Sequence, residues 1–294
     1  YVKNTGGDTV SHLLANSDGS GNYALSRGVN GTEKNPSTGT NRFMSTHDSK
    51  SVDSRFIQGY IANKSDKEKL GIFNVVENPS TTANQTPSRI EGVGKHVQTS
   101  IALNELQLFN DEAGSFDTGS ELVVLGWDPD DTHTDNFWEE LASVDLSGGE
   151  ADEISSGTIT AKKYLWVQYY REASGVIGGT MQFNDDTGSN YAVRYSNNGG
   201  GDSDYGSQSH IELRYKTTNT FGNMFIINNS ANEKLVIMHE VYEDGSGAGN
   251  DPSRTERVGK WVPTSNQQIT KIDINNDQAG NFGTKTMMKV WGHD

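Results

Sequence analysis

Residues 87–97 read PSRIEGVGKHV, and residues 252–262 read PSRTERVGKWV. One phrase is written twice in a single chain, 165 positions apart (252 − 87). Other phrases repeat in the same order. EKL at 68–70 returns at 233–235, and each copy stands 19 residues before its PSR proline (87 − 68 and 252 − 233). NDEAGSF at 110–116 matches NDQAGNF at 276–282, and each is followed at the same interval by LGWD (125–128) or WGHD (291–294), an offset of 166. Upstream, DGSGNYALSR at 18–27 answers DTGSNYAVRY at 186–195 with an offset of 168. Four blocks in one order at nearly constant spacing are a tandem duplication. The expected division is a first repeat over 1–128, an acidic linker over 129–136 and a second repeat over 137–294.

The opening of the second repeat, FWEELASVDLSGGEADEISSGTITAKKYLWV at 137–167, has no counterpart in the first, because Tyr1 already falls near the equivalent of residue 169 (1 + 168). If the copies are equally built, roughly 30 residues are expected ahead of Tyr1. The alternative is that the first copy borrows its first strand from a neighbouring chain.

Within each repeat the local pattern is β. Ile211, Leu213 and Tyr215 alternate with Glu212 and Arg214, and Tyr191, Val193 and Tyr195 alternate with Ala192 and Arg194, the period of a half-buried strand. Further strands are expected over 141–146, 158–170, 180–183, 223–227, 234–242, 257–262, 269–274 and 286–291. NDDTGSN, SNNGGGDSDYGS and EDGSGAGNDPS read as the turns between them, and DNFWEEL reads as a strand entry or a single helical turn. At 294 residues the chain can bury two cores. The expected fold is all-β: two tandem antiparallel β-sandwich, jelly-roll-like domains related by internal duplication.

Composition narrows the function. A net charge of −15, with 24 Lys and Arg spread without a dense run, argues against a nucleic-acid partner. There is no cysteine for a disulfide or thiolate site, and no apolar run near the ~18 residues of a membrane span, so no membrane partner is expected. The seven histidines are scattered without HExxH or HxH, and no G-x-S-x-G leads into a helix. Two carboxylates of a glycosidase could still meet across a cleft among 39 acidic residues. Calcium is the one cofactor with candidate ligands: Asp128, Asp130, Asp131 and Asp135 in WDPDDTHTD, and Asp185 and Asp186 in NDDTGSN. The plainer reading of those loops is a solvated linker and a tight turn. In the repeated phrase itself, Arg89 and Glu91, and likewise Arg254 and Glu256, stand two apart and so on one face of an extended segment. They are candidates for a subunit contact, or solvated charges beside a turn set by Pro, Ser and Gly.

FWEELASVDLSGGEADEISSGTITAKKYLWVQYY with MQFNDDTGSNYAVRYSNNGG, and the closing ITKIDINNDQAGNFGTKTMMKVWG, resemble a jelly-roll structural domain of virion proteins from environmental, especially marine, phages and related viruses. NELQLFNDEAGSFDTGSELVVLGWD in the first repeat is similar to the same closing element. The resemblance implies a non-enzymatic virion structural protein, a capsid shell or capsid-decoration subunit, placed on a virion assembled in the host cytoplasm. Its expected partners are copies of itself, a trimer above all, and other virion proteins. The competing reading is a carbohydrate-binding tandem sandwich, such as a tail-fibre receptor-binding protein with a host-surface glycan as partner. Exposure of the aromatics separates the two. Trp127, Trp138 and Trp166 buried in packing favour a structural role, whereas coplanar exposed rings beside Asp/Asn loops favour a glycan.

Overall fold

The computed structural model describes residues 1–5, 10–34, 36–46, 54–110, 112–126, 137–245 and 247–294. Among them there are 25 strands and no helix. The chain divides into two compact units, Tyr1–Ser80 with Ser88–Val124, and Thr81–Pro87 with Leu125–Asp294. The expected linker over 129–136 lies outside the described residues.

The strands before the linker are β1 (Val2–Thr5), β2 (Ser11–Ala15), β3 (Tyr23–Val29), β4 (Thr32–Glu33), β5 (Ser37–Thr40), β6 (Met44–Ser45), β7 (Ser54–Ala62), β8 (Lys69–Asn78), β9 (Ser88–His96), β10 (Leu106–Asn110) and β11 (Ser115–Phe116). Those after it are β12 (Glu139–Asp145), β13 (Glu153–Ser155), β14 (Tyr164–Arg171), β15 (Ala173–Ser174), β16 (Ile177–Phe183), β17 (Tyr191–Asn197), β18 (Ser203–Gln208), β19 (Ile211–Lys216), β20 (Thr220–Ile227), β21 (Lys234–Tyr242), β22 (Ser253–Trp261), β23 (Ile272–Asn275), β24 (Asn281–Phe282) and β25 (Met287–His293). One sheet of the first unit runs β11-β1-β7-β8-β9-β3-β4, with β5 also on β3, and the other runs β10-β2-β6. In the second unit the order is β12-β25-β14-β20-β21-β22-β17-β18 in one sheet and β13-β23-β16-β19 in the other, with β15-β24 as a small pair. The expected β-sandwich architecture is present.

Register establishes the duplication. Tyr23 pairs with His96 as Tyr191 pairs with Trp261, Tyr60 with Ile72 as Phe225 with Ile237, and Ala15 with Leu106 as Phe183 with Ile272. Asn4 lies opposite Phe116 where Ala173 lies opposite Phe282. The units part company at their first strands: β12, β13 and most of β14 have no sister before β1. One reading of the sequence needs correction. Ser203–Gln208, expected as part of a turn, forms a strand that pairs with β17, because the chain reverses within the glycines before it. Of the two readings of DNFWEEL the strand entry holds, since Glu139–Asp145 pairs along β25, while Asp135 and Asn136 lie outside the described residues.

Each repeated phrase proves to be a turn or a clamp. The tyrosine of GNY and SNY stands in one sheet and hydrogen-bonds the backbone of the other. Ala15 N–H donates to the Tyr23 hydroxyl (3.1 Å), which donates to Ala15 C=O (2.9 Å), and Phe183 N–H donates to the Tyr191 hydroxyl (2.9 Å). The preceding aspartates hold the loop closed. Asp18 accepts from Ser20 N–H (3.0 Å) and Asn22 Nδ2 (3.0 Å), and Asp186 from Gly188 N–H (2.9 Å) and Asn190 Nδ2 (2.9 Å). Burial disfavours the Asp18 carboxylate, yet hydrogen bonds from Ser20, His96 and Asn22 overcome this and hold its pKa below the usual carboxylate range.

In NDxAGxF the leading asparagine folds the turn around itself. Asn110 donates to Glu112 C=O (3.1 Å) and Gly114 C=O (2.6 Å), and its oxygen accepts from Val10 N–H (2.9 Å). Asn276 donates to Gln278 C=O (3.1 Å) and Gly280 C=O and accepts from Gly178 N–H (3.0 Å). The lysine of EKL bends back onto the carbonyl two residues before it, Lys69 Nζ to Lys67 C=O at 2.6 Å and Lys234 Nζ to Asn232 C=O at 2.5 Å. Asn16, Asn30, Asn184 and Asn198 all hold a positive φ of 50–54°, a conformation asparagine tolerates better than most residues.

Replacing Tyr191 with Phe leaves the buried Phe183 N–H without its acceptor. Tyr191→Phe is therefore expected to lower the stability of the second unit by about 1–3 kcal/mol, and Tyr23→Phe to act likewise on the first. Urea unfolding followed separately for each unit checks this, and each substitution should leave the other unit's midpoint in place.

Candidate interaction surface

The repeated P-S-R-x-E-x-V-G-K phrase forms β9 and β22, so its charges can be placed directly. Arg89 and Glu91 form an ion pair with each other along β9, and Arg254 Nη1 lies 2.6 Å from Glu256 Oε1 along β22. Arg89 is buried and Arg254 exposed, while Glu91 is half-exposed and Glu256 buried. The backbone N–H of Arg89 donates to Asn30 Oδ1 and that of Arg254 to Asn198 Oδ1, both at 2.8 Å. The glycines of VGK have a steric role. A Cβ on Gly94 would collide with the Phe43 carbonyl, and one on Gly259 would sit 3.0 Å from Ile211 Cδ1, so in both repeats the opposite sheet closes over this point. Turn, pair and close approach account for the repetition of the phrase without a ligand.

The calcium candidates divide. Asp128, Asp130, Asp131 and Asp135 lie outside the described residues. Asp185 pairs with Lys271 Nζ at 2.6 Å, and the Asp186 carboxylate accepts from Gly188, Asn190 and Trp261 Nε1 (2.7 Å). Those oxygens face N–H donors. Among the described residues no three His, Cys, Asp or Glu side chains gather as a metal site.

Among the described residues, a dense group of charges lies inside the second unit. Glu240 accepts from Tyr169 OH (2.8 Å), Tyr242 OH (2.6 Å), Arg171 Nη2 (3.1 Å) and Arg257 Nη1, and every member is buried. Burial alone would push the Glu240 pKa up, but Arg257 and Arg171 with the two tyrosines hold it below the usual value. The phenols move the other way, with burial first and the Glu240 charge second driving both upward. The carboxylate is saturated and no solvent reaches it, so the cluster holds strands together and has no route to a substrate. The first unit has Val2, Val75 and Gly92 at the sister positions of Arg171, Glu240 and Arg257, a second feature specific to one repeat.

Aromatics of the second unit stack on one another. Trp166 lies parallel to Phe225 (5.8 Å, 6°) and against Trp291 (4.7 Å, 29°), Trp138 packs on Trp166 (5.8 Å), and Trp166 Nε1 donates to Asn223 (2.7 Å). All four rings are half-buried, with their faces used in the ladder. Trp127 lies outside the described residues.

The first unit exposes an apolar surface that sequence reasoning missed. Tyr60 (61% exposed), Leu70 (56%), Ile72 (60%) and Val93 (51%) lie on adjacent strands, and with residues Pro36, Ser37 and Thr38 as a wall they line a groove of about 800 Å³. The duplication supplies a control. Their sisters are Phe225, half-buried, and Leu235, Ile237 and Val258, which are 0%, 1% and 2% exposed. Period-two alternation shows that both faces of these strands are apolar, but it does not show which repeat leaves its outer face open.

Lys234 gives a pH signature. Burial of its ammonium, opposed by Glu233, lowers its pKa to about 8, and its Nζ lies 5.8 Å from the centroid of the Trp261 ring. Between about pH 8 and its unfolded value near 10.4 the unfolded chain binds more protons at this site, so stability rises with pH. The melting temperature of the second unit is expected to rise from pH 8 to pH 9.5 relative to Lys234→Met, in which that gain disappears. Calorimetry at several pH values reads the difference.

No family model matches the chain, and no curated protein matches it. Among solved structures, the infectious bursal disease virus VP2 subviral particle aligns at 12% identity over 99% of this chain and 81% of that chain, with a TM-score of 0.08, a likeness that carries no argument.

Proposed function

We propose that the chain is a non-enzymatic structural subunit that assembles with copies of itself through the surfaces of its sandwiches, as the shell or decoration of a virion. The observation that carries the assembly reading is the outer face of the first unit, where Leu70, Ile72 and Val93 are more than half exposed and their sisters in the second unit are buried. Contiguous apolar surface of that kind is costly in water and marks a contact site. Two further features support it. The repeated phrases serve turns and inter-sheet clamps, and the charge cluster around Glu240 is sealed from solvent. The placement on a virion rests on the resemblance of the second repeat's strand phrases to phage virion domains. Within that reading a trimer presents six similar sandwiches (3 × 2), enough for a pseudo-sixfold capsomer.

The occupant of the groove is a second copy of this chain, in an interface of at least ~1,000 Å². Ile72→Glu and Val93→Glu are expected to leave the melting temperature within a degree or two while abolishing the oligomer seen by sedimentation and by electron microscopy of assembled material. Assembly unchanged in both variants sinks the reading. Retention on a glycan array that is lost in Tyr60→Ala, with no oligomer at any concentration, would favour the carbohydrate-binding alternative.

A further inference from the structure

The two repeats leave opposite parts of the same outer sheet face open. Four residues along the strands from the positions that form the groove, about 13 Å away, lies a second apolar row. In the second unit it crosses five strands in register: Met287 opposite Tyr170, Tyr170 opposite Phe221, Phe221 opposite Val241, and Val241 opposite Arg254. Phe221, Val241 and Met287 are 44%, 41% and 40% exposed, and Arg254 is exposed beside them. The sisters of Phe221, Val241 and Arg254 keep that register in the first unit, Phe56 opposite Val76 and Val76 opposite Arg89, yet they are 6%, 0% and 5% exposed. The groove shows the reverse. Leu70, Ile72 and Val93 are open in the first unit, and their sisters Leu235, Ile237 and Val258 are buried in the second. Each unit has one row buried and one open, and the choice is inverted between them.

We propose that the open row of the second unit is the surface that enters the groove, so that Phe221 and Val241 of one copy pack on Leu70, Ile72 and Val93 of the next in a head-to-tail contact. The proposal rests on the assembly reading above and adds which surface of the second copy the groove receives. A contact between unlike patches closes into a ring or grows as a filament, according to the rotation it imposes. In a trimer, three such contacts occupy every groove and every row.

Duplication, shape and charge select this pairing over groove on groove or row on row. Each open row has a sister that is buried in the other repeat, so both carry side chains suited to a packed contact. The groove is concave, walled by Pro36, Ser37 and Thr38, and two grooves face to face would enclose water between apolar walls. The row is a line of large side chains standing on a sheet. Lys95 is the charged residue lining the groove, paired with the surface carboxylate of Glu68 at 3.2 Å, a bond weak enough to exchange for another carboxylate. Glu172 and Glu243 flank the row at Tyr170, where burial first and those two charges next raise the phenol's pKa. Row on row would set these carboxylates against their own copies, whereas row in groove brings them toward Lys95.

The test mixes two variants of the full chain. Ile72→Glu spoils the groove and Phe221→Glu spoils the row, and each is expected to weaken self-association by roughly a hundredfold or more, because its carboxylate would be buried in the contact without a partner. An equimolar mixture is expected to sediment as a complex of one chain of each and nothing larger, since one sound groove meets one sound row and no other pair remains. Phe221→Glu that assembles alone like the parent overturns the proposal and leaves the assembly reading standing, and so does a mixture that stays monomeric. Ile72→Glu that assembles alone, or a parent that is monomeric at every concentration, defeats the assembly reading and the proposal with it. The chain has no cysteine, so Ile72→Cys and Phe221→Cys give a second measurement that does not depend on the glutamate variants folding. A short bismaleimide is expected to yield covalent multimers when both cysteines are in one chain and none when either stands alone. Covalent dimers of Ile72→Cys by itself, or no multimers with both cysteines, overturn the proposal.

Discussion

The sandwich depends on one hydroxyl in each repeat. Tyr23 and Tyr191 stand in the larger sheets, and their OH groups bond the main chain of Ala15 and Phe183 in the facing sheets. Apolar packing between sheets is non-directional and would allow them to slide, whereas a buried hydrogen bond to one residue's backbone does not. Around each tyrosine the other repeated residues add constraint: the aspartate that organises its loop, the ring at His96 or Trp261 stacked on it, and the lysine at Lys69 or Lys234 that caps the strand entry. The four repeated phrases converge here and on the asparagine turns.

The two copies have spent their remaining positions differently. The second unit gathers one large core, from Ile154 to Val290, and beside it accommodates a buried Glu240 with two arginines. Buried ions of this kind cost desolvation that only saturated hydrogen bonding offsets, and Glu240 has four donors. The first unit has smaller clusters, around Phe73, Val75 and Ile90 and around Tyr23 and Phe43, and a different buried pair, Arg55 with Glu77 at 2.8 Å. It also has the open groove, with Tyr60 of β7 on its exposed face.

The sequence by itself determined the duplication, the all-β class and most strand positions, because these are local: residue period, turn residues and repeated phrases need no knowledge of what lies across the sheet. Lys234–Tyr242 follows directly from its apolar run, and Asn276 announces its turn by type and position. Ser203–Gln208 was hidden by its glycines, and pairing with β17 alone makes it a strand. Tertiary structure decided what the charges do. Arg89 and Glu91 look alike in sequence to any exposed pair, and only the sheet shows them turned on each other. Likewise Glu240 is one acidic residue among 39 until β14, β21 and β22 bring Tyr169, Arg171, Tyr242 and Arg257 around it. Leu70 and Leu235 occupy the same place in the same phrase, yet one is exposed and the other buried. Burial depends on what is packed against a strand, and period-two alternation carries no record of that.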